Sequence, residues 1–134
     1  MPENAPLILL AEDDRNIRET TADLLSLCGI RVKSAPTGRA AQAHLEREEF
    51  ALVITDLVMP EGDGAWLLEQ VRARPSARHV PVILLTAHAD TTDQAAAAKA
   101  SADAYLTKPF VPDHLIDTVK HWLDRSRPAG PIGR

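Results

Sequence analysis

Four places in this chain put a polar, chemically capable side chain directly after a short apolar run. Residues 7–11 run into Glu12, Asp13 and Asp14, and residues 51–55 run into Asp56. Residues 82–85 run into Thr86, and residues 104–106 run into Thr107 and Lys108. Carboxylates brought close together repel one another and need a cation. Hard oxygen donors with no nearby cysteine or paired histidine favour Mg²⁺ over zinc. Mg²⁺ takes one or two carboxylates, keeps several waters and clasps a phosphate. An ammonium opposite the metal balances further negative charge arriving on a ligand. Such a set of parts suits phosphoryl transfer, in which a protein mostly positions groups and neutralises charge. A carboxylate such as Asp56 can itself be the nucleophile, giving an acyl phosphate.

Each residue also has an ordinary structural role open to it. Residues 12–14 could be an acidic first turn that complements a helix dipole. Asp56 could be a turn residue ahead of Pro60 and Gly62. Thr86 could be a packed β-branched side chain, and Lys108, before Pro109, a solvated loop lysine. Coincidence favours chemistry, because all of these groups fall at the ends of apolar runs.

The elements that must position them are legible in the pattern. Apolar runs without polar alternation (residues 7–11, 51–55 and 80–85, with shorter ones near 30–33 and 104–106) suit parallel strands covered on both faces. Between them the period becomes helical. Ile17, Leu24, Leu25 and Cys28 share a stripe, with Gly29 at the expected C-terminal cap. Leu67, Leu68 and Val71 make a second stripe, and Leu115, Ile116, Val119, Trp122 and Leu123 a third. Thr91 and Gln94 have capping-box spacing ahead of the alanine run 95–98, and residues 37–48 read as a further helix with a thin apolar face. Strand then helix, repeated, argues for parallel strands with right-handed crossovers. In an open sheet of that kind, ligands bind outside the carboxyl ends of the strands.

The chain of 134 residues, 45% hydrophobic and 25% charged, fits one globular domain. Its net charge of −4 and scattered basic residues give no electrostatic reason to bind nucleic acid. The single cysteine, Cys28, forms no internal disulfide and suits a reducing compartment. No apolar stretch reaches membrane-span length and the N-terminus lacks the plan of a signal peptide, so the expected location is cytoplasmic. Residues 1–6 read as an N-terminal extension, 7–124 as the domain, and 125–134, with Pro128, Gly130, Pro131 and Gly133, as a flexible tail or truncated linker. His44, His79, His114 and His121 lack metal-ligand pairing, and Trp66 and Trp122 are read as packing against the sheet or covering helix edges, without the basic or aromatic neighbours that would suggest a stacking platform.

Four fragments in order resemble the receiver domain of two-component response regulators, and the single-domain chemotaxis regulators in particular. They are Ile8-Leu9-Leu10-Ala11-Glu12-Asp13-Asp14; Asp56-Leu57-Val58-Met59-Pro60 with Asp63-Gly64; Leu85-Thr86-Ala87; and Ala102-Asp103-Ala104-Tyr105-Leu106-Thr107-Lys108-Pro109-Phe110. The likeness spans residues 7–123. It implies a flavodoxin-like, doubly wound, five-stranded parallel sheet of order 2-1-3-4-5 with five helices. It also implies that Asp56 accepts a phosphoryl group, in an Mg²⁺-dependent reaction, from a sensor histidine kinase or a histidine phosphotransfer protein. Asp13, Asp56 and the backbone carbonyl of Val58 would bind the metal directly, and Glu12 through water. Lys108 would contact a phosphoryl oxygen, with the Lys108–Pro109 bond often cis in the family. Thr86 would turn its hydroxyl to the phosphate and Tyr105 would follow, switching the surface of the fourth helix, fifth strand and fifth helix toward a downstream target protein. Asp14 reads as a helix cap rather than a ligand.

The departures are Glu12 in place of the more usual aspartate, and Ser101 where glycine often precedes the Ala-Asp pair. Val58 and His88 stand at the two variable positions flanking the phosphoryl group. Val58 cannot orient an attacking water, so phosphoryl loss should be slow and any self-catalysed dephosphorylation minor; the chain is read as a signalling domain rather than an enzyme. A haloacid-dehalogenase-like phosphatase would need an acid where Val58 stands, and a flavodoxin-like cofactor binder would need a hydroxyl- or glycine-rich loop where the first acids stand. A phosphorylation-independent binding module would usually have lost an acid, the threonine or the lysine. A receiver piece of a hybrid kinase or an intermediate in a phosphorelay stays open. With no DNA-binding motif after Leu123, neither direct DNA binding nor a membrane partner is expected.

Overall fold

The computed structural model describes residues 5–87 and 89–126. Strands and helices alternate through them: β1 (Leu7–Ala11), α1 (Arg15–Leu27), β2 (Arg31–Ala35), α2 (Gly38–Arg47), β3 (Leu52–Asp56), α3 (Gly64–Ala73), β4 (Val82–Thr86), α4 (Asp93–Ser101), β5 (Ala104–Thr107) and α5 (Pro112–Ser126). The strands form one parallel sheet in the order β2-β1-β3-β4-β5. This is the flavodoxin-like arrangement expected from the resemblance.

The run lengths and polarity of the strands follow from their places in the sheet. β3 and β4 are buried throughout and β1 at all but Leu7, as central strands covered on both faces must be. The edge strands β2 and β5 mix buried and open residues, which is why they read weakly in the sequence. Successive strand residues face opposite ways. Ile8, Leu10, Leu52, Ile54, Ile83 and Leu85 therefore pack with Leu25 of α1 and Leu115, Val119 and Leu123 of α5. Leu9, Ala11, Val53, Val82 and Leu84 pack on the other side with Ala41 and Leu45 of α2, Leu67, Leu68 and Val71 of α3, and Ala95 and Ala98 of α4.

Helix ends are set locally. Gly29, at φ +80°, closes α1: its N–H donates to the Ser26 carbonyl at 3.0 Å, and that of Ile30 to Leu25 at 3.2 Å. Asp14, Thr37, Asp63 and Thr92 each accept a backbone N–H at a helix start. The cap of α4 is thus Thr92 rather than the expected Thr91. The Thr91 N–H is engaged by the Ala89 carbonyl at 2.9 Å, so the preceding turn claims that residue.

Other expectations also need adjustment. β4 starts at Val82, because the Val80 N–H closes a turn onto Ala77 at 2.9 Å. Both tryptophans do have a basic neighbour in space: the Arg39 guanidinium lies 5.3 Å from the Trp66 ring centroid and that of Arg125 5.5 Å from Trp122. Helix α5 continues to Ser126, so Arg125 and Ser126 are helical rather than tail. Residues 127–134 and 1–4 lie outside the described residues. Among the described residues no helix is long and apolar enough to cross a membrane.

Candidate functional site

Strand register brings the polar residues level. Ala11 pairs with Thr55, so the residues that follow, Glu12 and Asp56, emerge side by side. Asp56 pairs with Leu85, and Thr86 with Thr107, which puts Thr86 and Lys108 at the same edge of the sheet. Three backbone bonds extend the pairing past the strand ends: Glu12 N–H to Ala35 at 3.0 Å, Leu57 N–H to Leu85 at 2.9 Å and Lys108 N–H to Thr86 at 2.7 Å. The Lys108–Pro109 peptide is cis.

Side chains complete the site. Carboxylate oxygens of Glu12, Asp13 and Asp56 lie within 4.8 Å of one another, the first and last buried and Asp13 exposed. Lys108 Nζ donates to Glu12 Oε1 at 2.7 Å and stands 2.9 Å from Asp56 Oδ1. The other Glu12 oxygen accepts the Asp14 N–H at 3.1 Å. Asp14 turns away from the cluster and caps α1, accepting the Ile17 N–H at 2.9 Å, as expected. Among the described residues, no cysteine or histidine joins this group of acids. An all-oxygen donor set with excess negative charge fits a hard divalent cation.

Burial, reinforced by the neighbouring Glu12, pushes the Asp56 carboxyl up to about 7, even though Lys108 works in the opposite direction. Burial also opposes the charge on Lys108, but its bonds to Glu12 and Asp56 outweigh that and hold the ammonium above its ordinary range. One lysine therefore does not neutralise the cluster.

Thr86 is 1% exposed, and its hydroxyl faces β5: it donates to the Leu106 carbonyl at 3.4 Å and lies 3.5 Å from the Thr107 hydroxyl. Tyr105 points outward, 51% exposed, and Val58 is 65% exposed just past Asp56. His88 lies outside the described residues.

Two contributors were not singled out from the sequence. Arg18 Nη1 donates to the Glu12 carbonyl at 2.8 Å and reaches the Asp13 carbonyl at 3.4 Å, tying down the acidic loop. The available signal was its position in the second turn of α1, from which a long side chain leans back toward the helix start. Gly64, noted only as part of a motif, donates its N–H to Leu57 at 2.8 Å, and a β-carbon there would strike the Asp56 carbonyl oxygen.

Comparison with known proteins agrees with this geometry. The family model described as response regulator receiver domain matches residues 8–120. The transcriptional regulatory protein GltR of Pseudomonas aeruginosa is 36% identical over 127 residues, 95% of this chain and 52% of that protein. The chain thus spans about half the length of that relative. The signal receiver domain of a histidine kinase from Syntrophus aciditrophicus superposes with TM-score 0.85 at 29% identity, over 95% of this chain and 96% of that one. The receiver domain of a sensor histidine kinase from Pseudomonas aeruginosa, solved with a magnesium ion in its active-site cleft, gives TM-score 0.82 at 30% identity, over 90% and 98%. Matching fold, acidic edge and family model lead to one conclusion: this chain belongs to the response regulator receiver domains, phosphoacceptor modules of two-component signalling.

Proposed function

We propose that Asp56 is the phosphoacceptor and that it takes a phosphoryl group from the phosphohistidine of a sensor histidine kinase or a histidine phosphotransfer protein. An Asp56 carboxylate oxygen bonds to phosphorus as the phosphorus–nitrogen bond breaks, and the departing imidazole nitrogen keeps the electron pair and regains a proton. Asp13, Asp56 and the Val58 carbonyl would hold Mg²⁺, with Glu12 acting through water. When bound, that ion supplies positive charge against the carboxylates and the incoming phosphoryl oxygens.

The observation that supports the reading is the Lys108 ammonium, 2.9 Å from Asp56 within the cluster of three acids. Once an Asp56 oxygen is bonded to phosphorus, that ammonium is free to move to a phosphoryl oxygen a short distance away. Thr86 would then rotate its hydroxyl from β5 to the phosphoryl group, and Tyr105 would turn inward, changing the α4–β5–α5 surface offered to a target protein. Val58 cannot orient water, so the acyl phosphate should persist and the domain act as a switch rather than a hydrolase. The same chemistry serves a cytoplasmic regulator or a receiver segment of a larger kinase or relay protein.

The test is incubation with Mg²⁺ and acetyl phosphate, followed by mass measurement. Wild type should gain one phosphoryl group, and Asp56→Asn none. Equal labelling of Asp56→Asn, or no labelling of wild type, would overturn the assignment.

A further inference from the structure

Helix α4 buries only alanines, Ala95 and Ala98, so its grip on the sheet is thin. Its one lysine reaches further. Lys99 Nζ lies 5.2 Å from the centre of the Tyr105 ring on β5 and 3.5 Å from the Asp90 carbonyl in the loop between β4 and α4. That loop is itself closed just past Thr86: Asp90 Oδ2 accepts the Ala87 N–H at 2.7 Å, and the Asp90 N–H donates to the Ala87 carbonyl at 3.0 Å. One ammonium therefore touches the ring expected to move and the loop that leaves the threonine expected to trigger it.

We propose that Lys99 is a positioning residue for the switch, a latch that favours the outward Tyr105 ring and with it the unphosphorylated form. This rests on the phosphoacceptor reading above. The face of an aromatic ring attracts a cation, and an inward turn of Tyr105 gives up that contact. At a half-exposed site the contact is worth about a two- to fivefold bias in a two-state equilibrium. The bias is small enough for a phosphoryl group to overcome, and large enough to lower activity when none is present.

Tyr105 is the chain's only tyrosine, so a ring label reports on it alone. The first measurement is broadening of that ring signal by a soluble paramagnetic probe, in unphosphorylated wild type, Lys99→Met and Lys99→Arg. The latch predicts less broadening in Lys99→Met, because the ring turns inward, and wild-type behaviour in Lys99→Arg. Simple uncovering of a fixed ring would give the opposite sign, more broadening in Lys99→Met, and would overturn the proposal, as would no change. The second measurement is the rate of labelling by acetyl phosphate with Mg²⁺, which should rise about two- to fivefold in Lys99→Met and stay at the wild-type value in Lys99→Arg. An unchanged rate in Lys99→Met also counts against the latch. If wild type takes no phosphoryl group, the phosphoacceptor reading fails while the ring measurement still decides the latch.

Discussion

Asp56 carries electrostatic tension that burial creates. Its carboxyl is pushed up to about 7 in the folded chain from an ordinary value of 3.8, chiefly by burial. Between those values the folded protein binds more protons than the unfolded one, so its stability falls as pH rises. The contribution is fully present below the unfolded value and lost as pH passes through about 7. In the absence of divalent metal, wild type should therefore lose more stability between pH 5 and pH 8 than Asp56→Asn, by about 1–3 kcal/mol. Urea unfolding of both proteins at the two pH values, in chelator, checks the difference; parallel curves would refute it. Val58 is proposed to govern a different property, the lifetime of the phosphoryl group. Its apolar side chain, 65% exposed beside Asp56, offers no hydrogen bond to a hydrolytic water. The phosphoryl half-life in Mg²⁺ should be long, and Val58→Asn should shorten it by about tenfold. Loss within seconds in wild type, unaffected by that substitution, would count against this role.

The elements place these groups through contacts that leave little room. Gly64 begins α3 with its α-carbon against the end of β3, and a β-carbon would lie 2.8 Å from the Leu57 α-carbon as well as against the Asp56 carbonyl. Gly64→Ala should cost about 3 kcal/mol, since backbone rather than a side-chain tip must yield. Because the displaced backbone carries Asp56, Mg²⁺ affinity should fall too, which a thermal melt with a metal titration would show. At the opposite end of the sheet, Asp103 Oδ2 accepts the Val82 N–H at 2.7 Å and an Arg72 N–H at 2.8 Å. Arg72 also donates to the Val80 carbonyl at 2.7 Å and to Arg78 at 3.1 Å. This clamp joins α3, the start of β4 and the turn after α4, whose last helical residue is Ser101. Arg72→Ala and Asp103→Ala should each cost about 1–3 kcal/mol, and the double variant less than their sum, with Mg²⁺ affinity unchanged. Additive losses in denaturant unfolding would show that the two do not act together.

For the whole molecule, metal binding at the three acids would be linked to folding, because they meet only when β1 and β3 are paired. Mg²⁺ at a hundred times its dissociation constant should stabilise the chain by about 2.7 kcal/mol. At one fixed Mg²⁺ concentration the gain should be greater at pH 8 than at pH 6, since Asp56 would have to give up its proton to bind metal, and it should disappear in Asp13→Asn. Calorimetric melts with and without Mg²⁺ would measure it. Much of this architecture was written in local pattern. The apolar runs of β1, β3 and β4, the Gly29 cap and the α5 stripe each report a short-range constraint, burial on two faces or helical period, that a sequence carries directly. The acids, Thr86 and Lys108 were legible for the same reason, since each ends such a run. What the sequence could not decide were chiefly relations between segments distant along the chain. The Thr92 cap and the bond from Arg18 to the acidic loop are local, but hydrophobic periodicity does not report which of two adjacent threonines caps or where a long side chain ends. Arg39 meets Trp66 only across two helices, and Lys99 meets Tyr105 only because α4 lies over β5. The clearest such relation is the ammonium of Lys108 set between Glu12 and Asp56, which required the parallel order and level register of the sheet. Periodicity fixes which face a side chain takes; only the packed chain fixes its neighbours.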